Sequence, residues 1–318
     1  MELPKKVRQL KLKFIKGVVL RMKSMTLDLN SRTKDIVAGY IYILPSLILI
    51  MTFSVIPIFM VVYLSFTKYN VMQPAVFVEF DNYIRMFSDR FVRAGIANTL
   101  IYTAIVVPTQ TILSMVIAEV IASRFRNRFG SFVKSVMFIP VISSAVLVGS
   151  LWLFLLATDN GAVNQILGLF GIHKINWIGT TKTALLSVCI ASIWKNVGYF
   201  LVIFYAGIMD ISSSIYQAAR VDGASTTQQF FLITVPLLKP VTLLVIVLGT
   251  IWSFQVFDIV YVMTNGGPGK STVTLVLTIY NAAFKEFSMG YASAVSVLLF
   301  VIVMLIYLLQ RMFFREDA

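Results

Sequence analysis

The sequence predicts an all-α polytopic membrane protein with six transmembrane helices. Three observations carry this. Hydrophobic residues make up 58% of the 318-residue chain and charged residues only 13%. The apolar residues gather into runs of membrane-crossing length, and the basic residues gather in alternate connections between them. A soluble domain is about 45–50% apolar and about 25% charged, so this chain lacks the polar surface to coat a water-soluble globule.

The runs place the helices in order. No Asp, Glu, Lys or Arg occurs from Ile36 to Thr67, Ala94 to Ala118, Ser135 to Thr158, Pro240 to Phe257 or Phe287 to Gln310. Thr183 to Met209 is interrupted only by Lys195. A helix needs about 20 residues to cross the hydrocarbon core, and lipid offers no partner for an unpaired backbone. The spans expected are 37–65, 96–120, 134–157, 183–208, 238–262 and 289–311. The alternation of a membrane β-strand is absent. The first run is too long for a signal-peptide core and reads as a retained span. The chain thus divides into a basic leader (1–35), a first span with an external segment (36–94), a transmembrane core (95–312) and a short tail (313–318).

The net charge of +13 is explained by where the charges sit. The leader carries ten Lys and Arg from Lys5 to Lys34, and the connection after the second span carries Arg124, Arg126, Arg128 and Lys134 with no acid. Connections on the other side are less basic. The positive-inside rule puts the N-terminus, and with six spans the C-terminus, in the cytoplasm. A nucleic-acid binder would instead need a folded basic face. The leader interleaves Leu10, Leu12, Phe14, Ile15, Val18, Val19 and Leu20 with its lysines. It reads either as an interfacial helix on anionic lipid or as a plain topology-setting anchor.

Residues 212–236, between spans four and five, form the most structured connection. Ser214 with Gln217 and Ser225 with Gln228 have capping-box spacing, Gly223 suits a helix C′ position, and Pro236 announces the next span. Two short helices joined by a glycine turn would present a rigid knob. Tyr216, Ala218 and Ala219 offer contact surface, and Arg220 and Asp222 offer polar anchors.

Chemistry that would mark an enzyme is sparse. The single His173 lies in an external segment and the single Cys189 inside span four, so neither a disulfide nor a metal cluster is expected. Thr264-Asn265-Gly266-Gly267-Pro268-Gly269-Lys270-Ser271 imitates a phosphate-binding loop. It has Thr264 where glycine is required and no preceding strand, so it reads as a Gly-Pro turn. Charges inside a membrane are costly and mark cavities or partners. Glu119 reads as an ion pair with Arg124 and Arg126. Asn196, Tyr199, Trp252, Gln255 and Asp258 are candidates to line a pathway; Lys195 shares a helix face with Tyr199, and Gln255 shares one with Asp258. The structural alternative is that Lys195 and Asp258 pair with each other or with a second subunit. An ion-gradient-driven secondary transporter is a rival reading, though no internal repeat is visible.

The 212–236 segment closely resembles the Glu-Ala-Ala motif of permease subunits of ATP-binding-cassette importers. Gln217-Ala218-Ala219, Gly223, and then Ile233, Thr234, Val235 and Pro236 stand at the motif's offsets, with Gln217 in place of Glu and Val235 in place of Leu. Asn98-Thr99-Leu100 is similar to the start of that family's core. Phe257 to Gly269, with Ser271-Thr272, is similar to the carbohydrate branch that serves maltose, glycerol-phosphate and oligosaccharide importers. The resemblance implies a type I importer permease fold in a bacterial-type cell (plasma or inner) membrane. It implies ATPase coupling through Tyr216, Gln217, Ala218, Ala219, Asp222, Gly223 and Ala224. It also implies a second, related permease in a pseudo-twofold heterodimer, two cassette ATPases, an extracytoplasmic sugar-binding protein and a sugar or oligosaccharide substrate. On that reading the chain is not an enzyme and binds no cofactor or metal, ATP and Mg being used by the ATPase, and it meets membrane lipid but no nucleic acid. An importer permease for a non-sugar solute is the alternative within the family.

Overall fold

A computed structural model describes residues 31–315, with side chains over 36–312. The basic leader up to residue 30, with the interfacial helix or anchor expected there, and residues 316–318 of the tail lie outside the described residues. The chain divides into two units at residue 60. The first holds α1 (Ser31–Ile50) and a π-helical turn, Met51–Val55, that leads into α2 (Ile56–Ser65). From Ile36 to Ser65 this is one 30-residue apolar helical run. Its apolar side chains are exposed on every side: Tyr42, Phe53 and Phe59 are 70% exposed or more. A helix apolar all round and buried by nothing is built for lipid or another helix, not water.

The second unit takes in the last residues of α2 and a short antiparallel ladder of β1 (Thr67–Lys68) and β2 (Val76–Phe77), with Thr67 opposite Phe77. The rest is helical: α3 (Asp81–Ser88), α4 (Arg90–Arg124), α5 (Arg128–Ile142), α6 (Ala145–Leu155), α7 (Ala162–Leu169) and α8 (Ala184–Asp210). Beyond these come α9 (Ser213–Val221), α10 (Thr226–Gln229), a π-helical turn Phe230–Thr234, α11 (Val235–Leu237), α12 (Lys239–Phe254) and α13 (Asp258–Met263). Last are α14 (Leu275–Tyr280), a third π-helical turn Asn281–Lys285, and α15 (Met289–Arg315).

The core forms around α4 and α8. Tyr102, Val106, Val188 and Cys189 pack in one cluster, and Met115, Ala118, Phe200, Leu201 and Phe204 in another. The Ser114 hydroxyl, buried in apolar surroundings, finds its partner across the pair in the Val197 carbonyl at 3.0 Å. Gly198 lets α5 approach α8 closely, since a Cβ there would fall 1.9 Å from the Met137 carbonyl oxygen.

Two expected spans are not straight. Four helical runs are long and apolar enough to cross a membrane, and two bent pairs bring the number up to six if each pair is one span. The expected 134–157 helix breaks at Ser143 and Ser144, where α5 and α6 meet at 101°. Both serines are extended, and the Ser144 side chain accepts from Val146 N–H to start α6. The expected 238–262 helix is also divided. Residues Thr226–Leu237 and Lys239–Phe254 meet at 68°, α12 stops at Phe254, and α13 begins only at Asp258. Gln255 and Asp258 therefore do not share a helix face, contrary to the expectation from their spacing.

The Gly-Pro loop packs on the head of α4. The Asn98 amide donates to the carbonyls of Lys270 and Val273, and Thr99 Oγ1 accepts from Leu275 N–H. Thr264 and Thr272 join hydroxyls at 2.8 Å across the loop. This is a pinned turn followed by α14, with no strand before it, in keeping with a structural role for the glycines.

Candidate functional site

The connection from α8 to α12 forms an elbow in which α9 and α10 both start on serine caps and α9 ends on a glycine turn. Ser212, not Ser214, is the N-cap of α9; its hydroxyl accepts from Ser214 N–H and meets the Ser214 hydroxyl at 2.8 Å. The expected Ser214–Gln217 capping box is therefore absent. Three serines in a row offer three candidate caps, and the chain leaves α8 early enough to use the first. At the other end the Ala224 N–H reaches the Ala219 carbonyl (2.8 Å) and the Gly223 N–H reaches the Arg220 carbonyl (3.1 Å). This is the paired closure that a left-handed C′ residue permits, and Gly223 has φ +81°. The Ser225–Gln228 capping box is complete: Ser225 N–H donates to Gln228 Oε1 at 2.8 Å, and Gln228 N–H to Ser225 Oγ. Such a cap is worth about 1 kcal/mol.

What the elbow shows to its surroundings follows from this geometry. Gln217, Ala218, Asp222 and Gly223 are exposed, while Ala219 and Ala224 are half-buried. Val221, which the sequence did not single out, is 88% exposed, an apolar side chain at the apex. Tyr216 faces inward instead. Its hydroxyl meets the buried Thr234 hydroxyl at 2.9 Å and so ties α9 to the π-helical turn before α11. Burial pushes the Tyr216 hydroxyl above the ordinary tyrosine range, opposed by the Thr234 bond, reinforced by Glu119 and opposed again by Arg126.

Beneath the elbow lies a recess of about 520 Å³ lined by Glu119, Arg126, Tyr216, Arg220, Ser225 and Gln229 among others. The expected Glu119 ion pair with Arg124 and Arg126 does not form. Arg126 donates its Nε to the Ala122 carbonyl, and Glu119 Oε2 is buried without a partner. Ion pairs among the described residues are Arg85–Glu286 and Lys174–Asp159.

A second recess, about 280 Å³, gathers most of the intramembrane candidates. Asn196, Trp252, Gln255 and Asp258 line it, together with Lys195. Tyr199 stands one layer behind, its ring 4.9 Å from that of Trp252. Gln255 and Asp258 reach it from the break between α12 and α13. The side chains of Asn196, Gln255 and Asp258 make no hydrogen bond or ion pair with other described residues. Lys195 behaves differently. It forms no ion pair with Asp258, and its Nζ donates to the carbonyls of Pro140 (3.3 Å), Val141 (3.1 Å) and Ser143 (3.1 Å). It thereby caps the end of α5 laid open by the 101° bend. Tyr102, Ser192 and Phe257 also line the recess and were missed in the sequence, where each sits in an apolar run like any packing residue. Amides, a carboxylate and an indole face free of internal bonds can bind a polyhydroxylated solute, stacking on its C–H faces and pairing with its hydroxyls. Among the described residues no group of His, Cys, Asp and Glu is arranged to hold a metal ion.

A polar recess set among apolar helices, in a chain that also carries an exposed elbow of capped short helices, is the make-up of a membrane transport component. Residues 90–316 match the family described as binding-protein-dependent transport system inner membrane component, and the chain belongs to that family. It is 33% identical over 279 residues to the probable ABC transporter permease protein YurN of Bacillus subtilis, covering 87% of this chain and 95% of that protein. It is 32% identical over 282 residues to the trehalose/maltose transport system permease protein MalF of Thermococcus litoralis, with the same coverage. Its fold is shared with a chain of a bacterial ABC transporter that imports the acidic polysaccharide alginate, at a TM-score of 0.79, 22% identity, and coverage of 91% of this chain and 100% of that one. The alginate transporter bound to its pentasaccharide-loaded periplasmic protein matches at a TM-score of 0.76 and 21% identity, covering 86% and 92%.

Proposed function

We propose that this chain is the membrane-spanning permease subunit of an ATP-driven importer for a sugar or oligosaccharide. The observation that carries the substrate class is the recess, where Asn196, Trp252, Gln255 and Asp258 converge from α8, α12 and the break after α12. Tyr199 supports the Trp252 ring from behind. The trehalose/maltose relative and the shared fold of the alginate importer support the same class.

On this reading each bent pair is one span, giving six, with both termini in the cytoplasm and the chain in a bacterial-type cell membrane. The charge distribution of the connections supports that orientation. The elbow then faces the cytoplasm, where Gln217, Ala218, Ala219, Asp222, Gly223 and Ala224 meet a separate cassette ATPase, and Tyr216 transmits the contact inward. ATP and its metal are used by that partner. A second, related permease completes a pseudo-twofold pathway with two ATPases, and an extracytoplasmic binding protein delivers the sugar, as the periplasmic protein of the alginate transporter suggests.

The test is uptake of labelled sugar into membrane vesicles holding the assembled transporter. Gln255→Ala and Trp252→Ala should each lower uptake at least tenfold with the chain still inserted and assembled. Unchanged uptake in both would remove the recess from the pathway.

A further inference from the structure

Resting on the sugar-permease reading, we infer that the recess selects an uncharged saccharide and rejects an acidic one. Its only lysine has its hydrogen-bonding capacity committed to the protein's own backbone, and its carboxylate makes no hydrogen bond or ion pair with a described residue.

The donors decide it. An ammonium has three N–H groups and no acceptor. Those of Lys195 face the three carbonyls at the end of α5, all at 3.1–3.3 Å. These carbonyls lose their helical partners at the Ser143–Ser144 break, and lipid supplies none in exchange. Turning Lys195 toward a solute would leave these half-buried acceptors unpaired, so the recess holds a cation whose donors are already taken. Among the residues lining the recess, no other is Lys, Arg or His.

Asp258 is placed in the opposite way. It is exposed at the recess, begins α13, and forms no ion pair with a described residue. As a carboxylate it only accepts, which suits sugar hydroxyls and repels a second carboxylate. Asn196 and Gln255 add amides that both donate and accept. Trp252 adds a face for the apolar side of a sugar ring. Every free group therefore matches a polyol, and none offers a charge-assisted bond to an acid. The alginate importer shares this fold while taking an acidic polysaccharide, so the fold by itself does not set the charge of the solute.

The experiment uses the assembled transporter in nanodiscs without its binding protein. Equilibrium dialysis measures radiolabelled maltotriose and trigalacturonate, of matched length, at pH 7. Trp252 emission locates the bound sugar, with Trp252→Phe as its control. Maltotriose is expected to bind at least tenfold more tightly and to shift an emission that Trp252→Phe removes. Asp258→Asn should narrow the gap at least threefold by improving trigalacturonate. Equal or tighter binding of trigalacturonate overturns the inference and leaves the sugar reading standing. A gap unchanged by Asp258→Asn overturns the assignment to Asp258. Binding of neither sugar overturns the sugar reading itself, and the inference with it.

Discussion

The hydroxyls of Tyr216 and Thr234 meet at 2.9 Å and join the elbow to the head of the bent span that follows it. Thr234 is fully buried and closes the π-helical turn Phe230–Thr234, so one bond and the packing around it connect α9 to the segment that leads into the α11–α12 bend. Tyr216→Phe removes the bond and leaves the Thr234 hydroxyl with a long contact to the Gln229 carbonyl. The expected loss is about 1 kcal/mol, read as a lower melting temperature, together with more ATP hydrolysed per sugar imported.

The same hydroxyl predicts an alkaline signature. Burial raises its folded-state pKa above that of the unfolded chain. Its stabilising contribution is complete below the unfolded tyrosine value of about 10 and is lost as pH rises through the higher folded value. Melting curves taken between pH 9 and 11 should fall off more steeply for the natural chain than for Tyr216→Phe. Parallel curves would show that the Tyr216 hydroxyl is not buried in the folded protein.

Gly223 holds φ +81°, and a Cβ there would meet nothing within 4 Å. The cost of Gly223→Ala is therefore backbone strain alone, about 1–2 kcal/mol, with no clash to relieve. Uptake should fall while membrane insertion and the recess around Trp252 are unaffected. If coupling is intact in Gly223→Ala, the left-handed turn does not matter to the elbow.

Lys195→Met should lower the melting temperature by uncovering the half-buried Pro140, Val141 and Ser143 carbonyls, a loss of about 1 kcal/mol. Lys195→Arg keeps the charge and the donors and should recover part of it. A variant with Met as stable as the natural chain would mean that these carbonyls find another partner.

Asn98→Ala should loosen the Gly-Pro loop, because the Lys270 and Val273 carbonyls both take their side-chain donor from it. Proteolysis within 264–273 is the direct readout: faster cleavage is expected, and an unchanged rate would contradict the pinning role.

The elbow was largely legible in the sequence because its turns depend on residue types with narrow conformational rules. Gly223 and the Ser225–Gln228 pair appear where those rules put them; the Ser214–Gln217 box did not form, because the chain uses the first of three serines as its cap, and Tyr216 turned inward to Thr234. The bends were not legible. Uniform apolar runs such as Ser135–Thr158 carry no periodic signal that distinguishes a straight helix from two meeting at 101°, and the compensating group, Lys195, lies more than 50 residues away. The Gln255–Asp258 break was hidden for the same reason. The recess nevertheless gathers Asn196, Trp252, Gln255 and Asp258, because polar side chains in an apolar bundle must converge on a common cavity or partner. Glu119 shows the limit of reading proximity along the chain: Arg126 turned to a backbone carbonyl instead.

If the elbow is the contact for a cassette ATPase, one cross-linking measurement will capture it. Cys189 is the only cysteine in the sequence and is buried, so Cys189→Ser with Ala218→Cys leaves a single exposed thiol at the elbow. In sealed, right-side-out vesicles with the assembled transporter, a membrane-permeant bifunctional reagent should join residue 218 to the ATPase in a yield that changes with ATP, while a membrane-impermeant thiol reagent leaves it unlabelled. Labelling of that thiol from outside, or the absence of any ATPase adduct, would contradict the account.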